Sequence, residues 1–440
     1  MKSSKYEFII VGAGAGGATV AKELTKMGKK VLILEQGKRE KKVGGLMNSL
    51  RYFDHHKVTM WPKGSKEGTY LYRAIMAGGS TMVSCGNGMR CSEDALAAFG
   101  INLDREFSEA EKEMEIAPFN LKWLSKGSKN ILEASKELGY KMEPMPKFMR
   151  YNKCRRCGTC YMGCHYGAKW TSLDYLDEAI KNGADVMYET LVYRVLTKNG
   201  KAAGVIGKCP GGKVEISSDV VILAAGGLAT PVILQKTGIE DAGSNLFGDL
   251  IVNTYGVTKN ISQLREPSMA LVDTEFHKSK GFILSTWPQP SALYRFVEAG
   301  VKGAILPAAR TLGIMTKSAD DPIGRVYADG SFSKPVTEND RARLKEGSEI
   351  AKEILIKAGA DGKSIVVGNP FGAHPGGTAA IGKILDKDLQ TKIDNLYVCD
   401  ASVFPTSLGA PPILTIAALG KRLAKALVSK HGQIEQQKAA

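Results

Sequence analysis

Four cysteines within eleven residues, Cys154, Cys157, Cys160 and Cys164, form the densest set of chemically capable side chains in this sequence. Their x2, x2, x3 spacing is the one that wraps thiolates around a 4Fe-4S cluster, because three short steps turn successive sulfurs inward from a single loop. A four-thiolate zinc site is the alternative reading, and thiols held without metal are another. His165 stands where such runs usually carry proline. A second candidate is His374, in the constrained turn Asn369-Pro-Phe-Gly-Ala-His-Pro-Gly-Gly-Thr378. An imidazole titrates near neutrality and serves as a general base without a large shift. The alternative for His374 is a structural role, fixing the turn at Pro375.

The third candidate is a binding loop, Gly12-Ala13-Gly14-Ala-Gly-Gly17, between the apolar run Tyr6–Val11 and a segment of helical periodicity. A second apolar run, Lys30–Leu34, closes on Glu35. Strand, glycine turn, helix, second strand and acid are in register for a dinucleotide fingerprint. Gly12 permits the tight turn, Gly14 lets a pyrophosphate approach the backbone, and Gly17 lets the helix pack on the strand. The helix N-terminus offers unpaired N–H groups to the phosphates, and Glu35 would accept hydrogen bonds from the adenosine ribose. The other reading is a plain strand-to-helix turn.

Other elements must position these groups. Gly78-Gly79-Ser80 breaks an apolar stretch and lets backbone lie flat against a ligand. Helices are expected between Ser92 and Lys147, and another from Thr171 or Ser172 to about Lys181. Strands are expected over Val186–Thr197, Ala203–Lys208 and Lys213–Ser217, turning at Asn199-Gly200 and Gly211-Gly212. Asp219–Gly226 reads as a buried strand opening on glycine, Phe247–Lys280 as antiparallel sheet, and Asn339–Ala358 as an amphipathic helix. Asn395–Asp400 is a strand ending in an acid, and Pro411-Pro412 opens a final helix through Leu427, where a first turn has no N–H to lose.

The 440 residues suffice for two domains with real cores. Hydrophobic content of 43% and charged content of 24% are those of an ordinary globular protein. Sixty Lys and Arg against 45 Asp and Glu give a net charge of +15, spread along the chain, which reads as a solvated basic surface before it reads as a docking face. No secretory signal, bilayer-length apolar run or nucleic-acid-binding module is expected, so the location inferred is cytoplasmic. Cys85, Cys91, Cys209 and Cys399 are scattered and expected to be reduced.

Taken in order, these motifs resemble the glucose-methanol-choline (GMC) flavoprotein oxidoreductases. The likeness rests on the N-terminal fingerprint, Gly78-Gly79-Ser80, Leu223-Ala-Ala-Gly-Gly-Leu-Ala-Thr-Pro231, His374-Pro-Gly-Gly-Thr378, and Tyr397–Pro405 through Thr415. It implies an α/β chain, α+β overall. A Rossmann-like FAD-binding domain would be built from residues 1–95, 152–245 and 373–440, with an antiparallel-sheet substrate domain inserted at 96–151 and 246–372. By the same likeness Gly12, Ala13, Gly14, Gly17 and Glu35 hold the ADP half of FAD. Gly78, Gly79, Ser80, Ala225, Gly226, Asp400, Ala401, Pro412 and Thr415 would follow the pyrophosphate, ribityl chain and ring. The family histidine, here His374, takes the substrate hydroxyl proton while hydride moves to flavin N5.

Two departures stand out: Pro411 replaces the family's second His or Asn, and Ser84 stands where many members have Asn. Cys85, in the flavin-contacting loop, reads as packing before chemistry. The expectation is an FAD-dependent oxidoreductase acting on a small alcohol or carbonyl substrate, passing electrons through the cysteine cluster to an external carrier. Lys153, Arg155, Arg156 and Lys169 flank that cluster and would steer an acidic ferredoxin-like partner. The alternatives are a reductase of a carbonyl or activated C=C, and a non-catalytic flavin- and metal-bearing electron-transfer subunit.

Overall fold

Phe8, Ile9, Ile10 and Val11 are apolar on both faces of the strand, the pattern of a strand covered on either side, and all four are buried. In the computed structural model, which describes residues 6–55 and 64–439 with side chains to residue 430, this run forms β1 (Tyr6–Val11). The first five residues and the middle of the Lys- and Gly-rich loop after Glu35 lie outside the described residues. From β1 the chain turns through the glycine loop into α1 (Ala15–Lys26) and returns as β2 (Val31–Leu34), parallel to β1.

The parallel sheet is completed by β3 (Asp185–Met187) beside β2, and on the other side of β1 by strands far away in sequence. A meander of β4 (Leu191–Lys198), β5 (Lys201–Cys209) and β6 (Gly212–Leu223) leads back to the sheet. The first half of β6 pairs antiparallel with β5, and its second half pairs parallel with β1. The expected strands Lys213–Ser217 and Asp219–Leu223 are therefore one continuous element. The expected strand Val186–Thr197 is two, because Glu189 takes a left-handed φ of 55° and turns the chain out of one sheet into another. The short strand Leu396–Val398 pairs with the end of β6, so the β1, β6 and Leu396–Val398 strand ends lie side by side.

A second, antiparallel sheet is made by β7 (Leu250–Val257), β8 (Leu271–Asp273), β9 (Phe282–Thr286) and β10 (Thr311–Ser318), with β10 between β7 and β9. One face buries Leu284, Leu312 and Ile314 against α2 (Glu338–Lys357), whose start is fixed by a capping box between Thr337 and Asp340. The other face carries Ile251, Ile283 and Met315, which cluster with Trp287. The C-terminal helix α3 (Ile413–Ala439) packs on α1, burying Leu414, Ala417, Ala418 and Leu423. Among the described residues no helix is long and apolar enough to cross a membrane.

Candidate active site

A cavity of about 610 Å³ runs between the two sheets, from the glycine loop at the end of β1 to the Ile251/Met315 face of the second sheet. Gly12, with φ of +107°, sits so close to the end of β6 that a Cβ would lie 2.2 Å from the Ala224 carbonyl oxygen, so only glycine fits. Gly14 differs. Nothing lies within 4 Å of where its Cβ would be, and it lines the cavity, leaving room for a ligand to meet the backbone. Ala13 and Gly17 are buried beneath the loop. Glu35 lines the cavity and accepts hydrogen bonds from Ala13 N at 2.8 Å and Gly37 N at 2.7 Å. Burial raises its pKa to about 7, against the pull of those two amides.

Gly79, Ser80, Ala225, Gly226, Ala401 and Pro412 also line this cavity, whereas Gly78 is buried behind them. Asp400 lies at the wall, but its carboxylate is already engaged. One oxygen accepts from Gly226 N at 2.8 Å and Thr230 Oγ1 at 2.6 Å, the other from Ser402 N at 2.8 Å, so it ties the Gly226 loop to the chain after Val398. Thr415 is not on the cavity. Its hydroxyl donates to Cys91 O at 3.0 Å and accepts from Cys91 N at 3.2 Å, joining the first turn of α3 to the segment that follows Cys85.

His374 lines the same cavity where the His-Pro turn crosses residues 247–249, held there as its own N–H donates to Gly248 O at 3.0 Å. Its Nδ1 lies 3.0 Å from Asp249 Oδ2. A carboxylate can only accept, so Nδ1 carries the hydrogen and Nε2 is left as the basic nitrogen. Asp249 is fully buried, with left-handed φ of 48°, a conformation aspartate tolerates better than most residues. Its second oxygen accepts from Ser407 Oγ, Leu408 N and Gly409 N at 3.0, 3.1 and 2.8 Å. Burial first, then the charge of Lys317, hold His374 below its usual pKa, while Asp249 pulls the other way. The imidazole is neutral at pH 7 and available as a base.

Sequence reasoning missed Asp249 and Lys317. Asp249 belongs to no motif; its only mark is a charge beside the apolar run that follows it. Lys317 is a single cation in the run Leu312-Gly-Ile-Met-Thr-Lys317, two residues from Met315 and so on the same strand face. Pro411 lines the cavity, as does Ser84, and neither places a second histidine or asparagine there. Cys85 also lines it, with its thiol pKa pushed up by burial.

The metal expectation is not supported. Among the described residues no group of three or more His, Cys, Asp or Glu side chains is arranged to hold a metal ion, whether as a 4Fe-4S cluster or as zinc. Cys154 Sγ accepts from Arg156 N at 3.4 Å and Cys164 Sγ from Ala168 N at 3.2 Å, while the exposed Cys157 pairs with Thr159 Oγ1 at 3.2 Å. Cys160 opens a single 3-10 turn, and burial raises its pKa to about 12. Sequence spacing bounds how far apart the Cα atoms can lie, not where the sulfurs point, and it does not encode the positive φ at Arg156, Gly158 and Gly163 that shapes this loop.

The basic flank is also narrower than expected. Lys153 and Arg155 are exposed, but Arg156 lies over the Trp123 ring and donates to Trp123 O. Lys169 is buried, donating to the carbonyls of Met82 at 2.9 Å and Thr81 and Cys160 at 3.3 Å, and to that of Ser84.

The chain is similar to known proteins along most of its length. Residues 6–261 match the N-terminal region of the GMC oxidoreductases and residues 313–420 their C-terminal region. An uncharacterized protein of Methanocaldococcus jannaschii is 30% identical over 436 residues, covering 96% of this chain and all of that protein. A long-chain-alcohol oxidase of Arabidopsis thaliana is 23% identical, covering 97% of this chain and 68% of the oxidase. Among solved structures, pyridoxine 4-oxidase from Mesorbium loti superposes with a TM-score of 0.73 at 16% identity, covering 96% of this chain and 99% of that one. Formate oxidase of Aspergillus oryzae does so with a TM-score of 0.76 at 16% identity, covering 98% and 100%. The Rossmann-like fold is common to them. FAD fits the cavity described above, since the glycine cradle opens on it at Gly14 and Gly226, where no atom lies within 4 Å of a Cβ position. On the match of both regions and the shared fold, the chain belongs to the GMC oxidoreductase family and is an FAD-dependent oxidoreductase.

Proposed function

We propose that this enzyme oxidises a small alcohol, with His374 as the base that takes the hydroxyl proton. FAD, when bound, supplies the acceptor for the hydride. Gly12, Gly14, Gly79, Gly226 and Ala401 would hold it by backbone, and residues 96–151 and 246–372 would supply the substrate side. The observation that carries the reading is the 3.0 Å bond from His374 Nδ1 to the buried Asp249 at the cavity wall. That bond sets the tautomer and ring orientation, as an orienting carboxylate does for any histidine base.

The direction of proton flow follows from charge. Burial and Lys317 favour neutral His374, ready to accept a proton; reduction of a carbonyl would need the same ring to start charged. This supports oxidation over the reductase alternative. No step is routed through the cysteine loop, whose thiols are not gathered into a ligand set. The test is Asp249→Asn. Flavin reduction by alcohol, followed anaerobically in single turnover, should slow by roughly 10²-fold with FAD retained. A rate within threefold of the parent enzyme would remove Asp249 from the mechanism.

A further inference from the structure

Six lysines are buried among the described residues, and five have evident partners. Lys22 and Lys421 pair with Glu113, Lys334 with Asp320, and Lys147 and Lys169 donate to backbone carbonyls. The ammonium of Lys317, a residue 2% exposed, makes no hydrogen bond or ion pair with any described residue; only its backbone is paired, in β10. It projects from β10 on the same face as Met315, is flanked across the sheet by Ile251 and Ile283, and lines the cavity with His374. Asp249 is the carboxylate whose charge acts on it, but the Asp249 oxygens are taken by Ser407, Leu408, Gly409 and His374.

An ammonium that faces a largely apolar cavity with no acceptor from the protein is poorly solvated, and an anion from outside offsets that cost better than an alcohol oxygen does. Its neighbours Ile251, Met269, Met315, Trp287 and Phe371 are apolar or aromatic, so Lys317 is a cationic point on an oily stretch of the wall; Arg73, paired with Asp54, and Lys236 also line the cavity.

We propose that Lys317 is the carboxylate-binding residue of the substrate pocket and that the substrate is a 2-hydroxy acid with an apolar remainder. This rests on the alcohol-oxidation reading above. The carboxylate seats on Lys317, which holds the adjacent carbinol carbon beside His374. The O–H proton passes to His374 Nε2, the C–H bonding pair leaves as hydride to FAD, and the product is the 2-oxo acid. Lys317 thereby supplies from the second sheet the polar contact that Pro411 does not.

The test is binding to the FAD-loaded enzyme, read by the flavin absorption spectrum, with benzoate and its neutral isostere benzamide as probes. Benzoate should bind at least about 10-fold tighter than benzamide, a difference of about 1.4 kcal/mol. Lys317→Met should weaken benzoate at least about 10-fold and leave benzamide unchanged, whereas Lys317→Arg should keep most of the preference. Benzoate binding no tighter than benzamide in the parent enzyme, or equally well in Lys317→Met, would overturn the proposal. If Lys317→Met does not retain FAD, the parent ratio and Lys317→Gln decide in its place. Because binding needs no turnover, a failed role for His374 would leave this result intact, and a missing benzoate preference would leave alcohol oxidation standing.

Discussion

At the scale of single residues, the proposed chemistry rests on one nitrogen kept basic and aimed. His374 was legible because its turn carries a motif; Asp249 was not, because the bond between them spans 125 residues and no local pattern announces it. The pair has a pH signature. His374 must be neutral to act, and its pKa is lowered, so flavin reduction should rise with pH along a limb whose midpoint lies below about 6.5. Removing Asp249 removes a contribution that raises that pKa, so in Asp249→Asn the limb should move to still lower pH while the plateau falls. A limb that moves upward would mean that Asp249 is not acting on the ring as a charge. Gly14 provides a second test. Its backbone, with φ −80° and ψ −164°, suits any residue, and a Cβ there meets nothing within 4 Å. Gly14→Val should therefore fold and yet be colourless, its side chain standing where the pyrophosphate must lie. Retention of stoichiometric FAD would show that the glycine loop does not carry the cofactor.

At the scale of elements, the cysteine loop is the place where sequence and structure part. The x2, x2, x3 spacing is real, but the loop's path also depends on positive φ at Arg156, Gly158 and Gly163, and spacing does not encode that. What holds this loop is Lys169, which runs under it and caps carbonyls from both the Thr81–Ser84 and the Cys160 segments. From sequence it looked like a surface cation; in the fold it is 5% exposed. Lys169→Met should destabilise the protein by on the order of 3 kcal/mol, since several buried carbonyls lose their donor at once. Chemical denaturation would measure it, and a loss under about 0.5 kcal/mol, the range of a plain surface substitution, would return Lys169 to the surface role. The strand Thr311–Ser318 was also overlooked, because a run buried on both faces shows no alternation to read. It is the strand that carries Lys317.

At the scale of the whole molecule, the order of motifs announced a parallel sheet assembled from distant segments, and the structure joins them as β2, β1, β6 and the Leu396–Val398 strand. The second sheet was legible only in outline, since its β7–β10 pairings join residues from 54 apart (Val257 with Thr311) to 68 apart (Leu250 with Ser318). Burial leaves a mark on stability as well. Glu35, Glu266 and Glu298 each have a pKa raised from 4.5 to about 7. The folded chain therefore binds more protons than the unfolded chain between those values. Their contribution is full below pH 4.5 and is lost as pH rises through 7. His374, with its pKa lowered, acts in the opposite sense below its ordinary 6.5. The melting temperature of the FAD-free protein should fall from pH 5 to pH 8, and Glu266→Gln should flatten that slope; a rise over the range would contradict the assignment. The central claim is that all of this fold delivers one base to one cavity. It is tested most directly by anaerobic single-turnover reduction of FAD-loaded His374→Ala, using whichever alcohol or hydroxy acid reduces the parent enzyme fastest. The expected result is full FAD content with reduction slowed on the order of 10²- to 10⁴-fold; reduction at the parent rate would contradict it.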